Sequence, residues 1–323
     1  MKVLKKLFAL AAVATAASSA MALPQFTVGT NSINFVGYEN QYRTDAACGA
    51  VGGCLAFNAN IDPTGFRRVD PTLSGNTAVI ATDLFVGIFK VTQTQPGNWS
   101  PAPNDQFSGY FVQEVANVSI SGGLANAVID LKAAASDPFN TGRLGAGAMF
   151  SLYTDSTTNF NPNGATSLST ILTATDGTKW ADLGLTGAET YAYTLDNLEV
   201  SAANPNAALA TKSYMALDVI TFGASYNLNT LNKVNDLSED LAGGVTASGN
   251  LVCDAADLAS ASVTCSDIVG NADVKRNANF GASPWYFEVN DPLSLNMAPE
   301  PGSLALVGLS LLGLGAMRRR NSK

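Results

Sequence analysis

The segment Ala81–Thr94, ATDLFVGIFKVTQT, constrains the fold more than any other stretch of the chain. Leu84, Val86 and Ile88 fall on one alternating face, and Phe85, Phe89 and Val91 on the other. Apolar residues on both faces of a strand imply burial on both faces. The segment therefore predicts a strand buried on both sides. Gly109–Ile120 (GYFVQEVANVSI) is a second run rich in valine and aromatic residues, and Lys212–Leu228 reads as a long strand or a hairpin. WYFEVN alternates, with Trp285, Phe287 and Val289 on one face and Tyr286, Glu288 and Asn290 on the other.

Turn chemistry separates these runs. Gln95–Asp105 (QPGNWSPAPND) contains three prolines and reads as a loop, and DPTGF, NPNG and TDGT are further turn signals. Helical signals are few. VNDLSEDLAGG sets Leu237 and Leu241 one turn apart with Gly243 as a stop, which predicts a short surface helix. Leu124–Pro138 reads as strand at its start and helix at its end. The expected fold is all-β, a mainly antiparallel β-sandwich with one or two short helices. The chain shows no internal repeat.

Both ends differ from this body. Residues 1–22 carry Lys2, Lys5 and Lys6, then an apolar run from Leu7 to Ala17, then Ala20-Met21-Ala22. A basic start, a short apolar core and a small-x-small site make a secretory signal peptide, with cleavage expected between Ala22 and Leu23. At the other end, Gly302–Met317 is a largely apolar stretch of 16 residues followed by Arg318, Arg319 and Arg320. As a helix it would span roughly 24 Å, against a hydrocarbon core of about 30 Å. Leu304, Leu306, Leu309, Leu311, Leu312 and Leu314 at roughly −0.5 kcal/mol each favour insertion by only about −3 kcal/mol. The reading is a marginal anchor suited to temporary holding, with the arginines kept on the cytoplasmic side. Pro299 and Pro301 cannot extend a helix towards the body, so the joint is stiff and extended. Three segments result: residues 1–22 as signal peptide, 23–297 as the extracytoplasmic β-rich domain, and 298–323 as the sorting and anchor segment.

Pro299-Glu300-Pro301, then Gly302 and the Leu304–Met317 span, then Arg318–Arg320, closely resembles the PEP-CTERM sorting signal of bacterial envelope proteins. That motif is also labelled an ice-binding protein C-terminal domain, although it is not itself an ice-binding surface. The resemblance implies an exosortase-type processing enzyme as partner, cleavage near the motif, and release or transfer of the body. It further implies a setting of exopolysaccharide, biofilm or flocs. DLFVGIFKV, GYFVQEV and the pair SLYTD with ATDGTKWADLGL also resemble PEP-CTERM proteins of this size, which implies no activity.

Charge and composition narrow the remaining function classes. Leu23–Ala298 holds 11 basic residues against 25 acidic ones, a net of −14. Such a surface repels phosphate backbones, so no nucleic-acid partner is expected. Charged residues make up 14% of the chain, against about 25% in ordinary globular proteins, and Ala, Gly, Asn, Ser and Thr fill the gap. There is no histidine. Ser-His-Asp and Cys-His catalysis, His-bearing zinc sites and His proton shuttles are therefore excluded.

Four cysteines, Cys48, Cys54, Cys253 and Cys265, in an exported chain suggest two disulfides. Three pairings are open, and the two local ones, Cys48 with Cys54 and Cys253 with Cys265, are favoured. Neither pair has metal-knuckle spacing, so no metal and no cofactor are expected. Two carboxylates suffice for glycoside hydrolysis, but none of those present sits in a recognisable catalytic context. SEDLAGG and NDPLSL are acidic without the ligand spacing of a calcium loop. Among Trp99, Trp180 and Trp285, only Trp99, in its proline-rich loop, stands out as a glycan contact. The expected function is a non-enzymatic envelope or extracellular-matrix protein. The rival expectation is a secreted lectin or an enzyme acting on polysaccharide.

Overall fold

A computed structural model of the chain describes residues 29–71, 79–95, 105–120, 127–185, 191–195, 211–223, 231–232, 234–236, 264–279 and 281–297. The elements in order are β1 (Gly29–Thr44), α1 (Asp45–Val51), β2 (Phe66–Arg68), β3 (Leu84–Gln95), β4 (Gln106–Ile120), β5 (Ala127–Ala133), β6 (Phe150–Asp155), α2 (Ser167–Ala174), β7 (Thr178–Gly184), β8 (Tyr191–Leu195), β9 (Thr211–Phe222), β10 (Leu231–Asn232), β11 (Val234–Asp236), β12 (Thr264–Ser266), β13 (Ile268–Arg276) and β14 (Phe287–Met297). Every pairing described between these strands is antiparallel. An all-β, mainly antiparallel body with two short helices is what the sequence predicts and what the structure shows.

Twelve strands join in one sheet, and β11 pairs with β12 apart from it. From β14 the pairings pass to β1, β3 and β4. There the far edge of β4 divides. Gln106–Phe111 pair with β6, and residues between Gln113 and Ile120 pair with β5. The two branches, β6–β7 and β5–β8, both end on β9. β9 pairs with β13, and β13 with β14, so the pairings lead back to their start. Pro292 lies within β14 without breaking it. The β13–β14 ladder skips from Leu293 to Asn290, so the missing N–H falls in a gap of that ladder.

β3 and β4 form the wall that the sequence pattern demands. Phe85, Phe89 and Val91 belong to the larger hydrophobic cluster with Ile33, Phe107, Phe111 and Trp180. Leu84, Val86 and Ile88 belong to a second cluster with Tyr42, Tyr110, Val112, Ile171 and Trp285. The first cluster lies on the inner face of these strands. The second cluster is closed from outside by α2 and the loops around it. Thr166 caps α2 by accepting from Ser169 N, and the Ser169 hydroxyl accepts from Thr166 N in return. Ile171 and Ala174 of α2 are buried in the second cluster.

Three local expectations are corrected. Residues 134–138 form no helix after β5, because Asp137 accepts hydrogen bonds from the Phe139 and Thr141 amides and folds the chain into a turn. The helix expected over VNDLSEDLAGG begins instead as β11, whose Val234–Asp236 pair with Thr264–Ser266; residues 237–250 lie outside the described residues. Trp285 does not share a face with Phe287 and Val289. It precedes β14 and fills the second cluster, whereas those two pack at the first.

Candidate functional site

β14 delivers the chain to its C-terminal segment. Its last residue, Met297, pairs with Gly29 of β1 on one edge and with Leu231 of β10 on the other. Ala298 follows at once, and Pro299, Glu300 and Pro301 come next. The predicted processing motif therefore lies immediately after a strand held on both sides. Pro299–Pro301, the anchor leucines Leu304, Leu306, Leu309, Leu311, Leu312 and Leu314, Arg318–Arg320, the cleavage pair Ala22 and Leu23, and also Trp99 and Cys253 lie outside the described residues. Among the described residues no helix is long and apolar enough to cross a membrane.

The opposite end of β1 is braced covalently. Cys48 of α1 and Cys54 form a disulfide, one of the two local pairs expected. Gly52 and Gly53 bridge them with φ of 79° and 78°, a left-handed backbone that side chains disfavour. Cys265 is also disulfide-bonded.

Beside this loop sits a buried ion pair absent from the sequence reading. Arg43 of β1 donates from Nε to Asp83 Oδ1 at 2.8 Å and from Nη2 to Asp83 Oδ2 at 2.8 Å. Gln41 Nε2 (2.7 Å) and Ile80 N (3.0 Å) donate to the same carboxylate. Arg43 Nη1 donates to Gly52 O at 3.0 Å, which ties the pair to the disulfide loop. Both charged side chains are 0% exposed. The bidentate geometry and the extra donors meet the needs of two desolvated charges. In sequence, Glu39, Gln41 and Arg43 alternate like a solvated face, so nothing there announced the burial.

Glu39, one step along the same face, is buried as well, at 3% exposed. Burial pushes its pKa from the ordinary 4.5 up to about 8.

A third polar cluster resembles catalytic machinery without its access. Asp182 of β7 accepts from the Ser151 hydroxyl, from Lys179 Nζ at 2.9 and 3.2 Å, and from Thr221 Oγ1 at 2.9 Å. Ser151 is 0% exposed and its proton is directed to Asp182, so no nucleophile is presented. The cluster instead holds the 143–149 loop to the sheet, with Gly145 N donating to Ser151 Oγ. Among the described residues no group of three or more cysteine or carboxylate side chains could hold a metal ion.

Two of the three tryptophans are core residues. Trp180 packs edge-on against Phe107 and Phe222. Trp285 is fully buried and donates from Nε1 to Thr170 Oγ1 at 3.0 Å. Neither offers a flat exposed face to a sugar ring.

Residues 298–320 match the PEP-CTERM protein-sorting motif. No curated protein and no solved structure matches the chain. The motif marks an exported, envelope-associated protein that is sorted by exosortase. With its β-rich body ending at Met297 and the matched segment beginning at Ala298, the chain is a PEP-CTERM domain-containing protein.

Proposed function

We propose that the protein is a non-enzymatic component of the cell envelope or extracellular matrix. It is delivered by its N-terminal signal, held briefly by the Gly302–Met317 segment with Arg318–Arg320 on the cytoplasmic side, and processed at Pro299–Pro301. The body then takes its place in an exopolysaccharide layer. The observation that carries this reading is the sorting motif at 298–320 directly following a strand paired on both edges. Cleavage at such a junction frees a body whose described strands end before the cut. The missing histidine and the burial of the Ser151 and Asp182 cluster support a structural role over a hydrolytic one. The buried Trp180 and Trp285 leave a lectin reading with Trp99 alone.

The test is fractionation in the native host. The wild-type chain is expected as a shortened form in the envelope or matrix fraction. A variant with alanine at Pro299, Glu300 and Pro301 is expected to stay at full length in the membrane fraction. A tail-deleted chain ending at Met297 that reaches the same fraction in the same amount would refute the reading. A glycan array and a hydrolysis assay on host exopolysaccharide decide the activity. Binding without turnover would make the protein a lectin, and turnover an enzyme.

A further inference from the structure

β14 changes partners along its length. On one edge β1 runs beside it from Phe287, opposite Glu39, to Met297, opposite Gly29. On the other edge β13 pairs as far as Leu295, which stands opposite Ile268. Asn296 and Met297 lie beyond the reach of β13. On that edge they pair instead with Asn232 and Leu231 of β10. β10 is only these two residues long. β11 follows it closely, and its Val234–Asp236 are fastened to Thr264–Ser266 of β12. β10 can therefore leave β14 by breaking two rungs while the chain just after it stays in place.

Ala298 and the matched segment 298–320 follow Met297 at once. A partner that grips an extended chain by strand addition needs main-chain N–H and C=O groups along one edge. The motif itself is poor in donors. Pro299 and Pro301 have no N–H, which leaves Glu300 as the one donor of the three. On the body side, Asn296–Ala298 is the nearest unbroken run of main-chain donors. Two of its three residues are the pair that β10 covers. Their other edge belongs to the long ladder with β1, which is the harder one to open.

We propose that the β14 edge at Asn296–Met297 is a docking edge for the processing enzyme, which adds an extended strand of its own where β10 lies and so grips the chain from Asn296 into the motif. This rests on the reading that the chain is processed at Pro299–Pro301. β10 is then a tethered cover that competes with the enzyme for the same main-chain groups. A strand already paired on both edges has no room for a third partner, so the enzyme engages only molecules in which β10 has lifted. Short, two-rung pairings at the end of a ladder open far more readily than the sheet as a whole. The rate of processing therefore follows the hold of β10 on β14.

The experiment is a pulse-chase of the full chain in the native host, following conversion of the full-length form to the shortened one. Leu231→Pro with Asn232→Pro strips the main-chain donors from β10 and leaves β14 unaltered. It is expected to be processed about fivefold faster than the wild type, the gain in uncovered molecules when one main-chain hydrogen bond of about 1 kcal/mol is lost. Asn232→Cys with Asn296→Cys joins two positions that face each other in the register and ties the cover down. With the cross-link verified by mass spectrometry, this chain is expected to be processed more slowly than the wild type. A folded proline variant processed no faster than the wild type, or a cross-linked chain processed as fast, would overturn the docking edge and leave the processing reading standing. No shortened form from any of the three chains would overturn both. Should the proline variant fail to fold, the cross-linked chain decides alone.

Discussion

Gly87 of β3 stands directly opposite Phe111 of β4, and the phenyl ring lies over the glycine. A Cβ placed on Gly87 would fall 2.5 Å from Phe111 Cζ and 2.3 Å from the Tyr38 carbonyl oxygen. The ring could tilt, but the backbone oxygen could not withdraw without opening the β1–β3 ladder. Gly87→Ala is therefore expected to destabilise the body by about 1–3 kcal/mol, the usual range for overpacking. Gly49 in α1 is the control, since a Cβ there meets nothing within 4 Å. Gly49→Ala is expected to stabilise by up to about 1 kcal/mol through helix propensity and a stiffer unfolded chain. Urea unfolding curves of both variants check the opposite signs.

Removing one partner of the Arg43–Asp83 pair strands the other charge out of water. Asp83→Ala is expected to cost about 3–5 kcal/mol. The double variant Arg43→Met with Asp83→Leu should recover much of that loss, because it leaves no buried charge. A thermal melt in which Asp83→Ala matches the wild type would show that the pair is not desolvated as described.

The Cys48–Cys54 disulfide closes a short loop, with a sequence separation of 6. Chain entropy alone sets its worth at about 2 kcal/mol. Replacing both cysteines by alanine should lower the unfolding free energy by that much and leave the overall circular dichroism unchanged. A larger loss would mean that the loop also holds Arg43 in place through Gly52 O.

Trp285 and Thr170 join the segment before β14 to α2. Trp285→Phe removes the indole donor and part of the packing in the second cluster, for an expected cost of about 1–3 kcal/mol. Thr170→Val is expected to cost a similar amount, because it leaves the buried indole N–H unpaired and removes the bond that the Thr170 hydroxyl donates to Ser167 O. Because Trp180 and Trp285 are buried, fluorescence quenching by a neutral solute should reach them only on unfolding.

The double-sided pattern of β3 could be read from the chain because each of its faces is uniformly apolar. The long β4 and β9 were legible for a similar reason. α2 was not. SLSTILTA is rich in serine and threonine, which are weak helix formers, and its cap uses Ser169 in place of the usual glutamate or glutamine. Burial of Ile171 and Ala174 against β3 and β4 decides the matter, and that contact is tertiary. Trp285 misled because alternation assumes a strand, whereas β14 begins two residues later. The polar inner positions Glu39, Gln41, Arg43 and Gln113 were invisible for a simpler reason. Alternating polar residues look the same facing water as facing one another, and only the partner Asp83, 40 residues away, distinguishes the two. The sorting motif was fully legible, since its information lies in the order of residues and not in contacts.

The pairing of Gly29 with Met297 fixes how the body can be carried. The chain enters and leaves the sheet at one pole, while β1 runs on for 16 residues, roughly 50 Å at about 3.3 Å per residue, to α1 and its disulfide. The cross-linked pole therefore lies at the end of β1 opposite the strand that leads into the sorting segment. A cut beyond Met297 would take no rung from any described ladder.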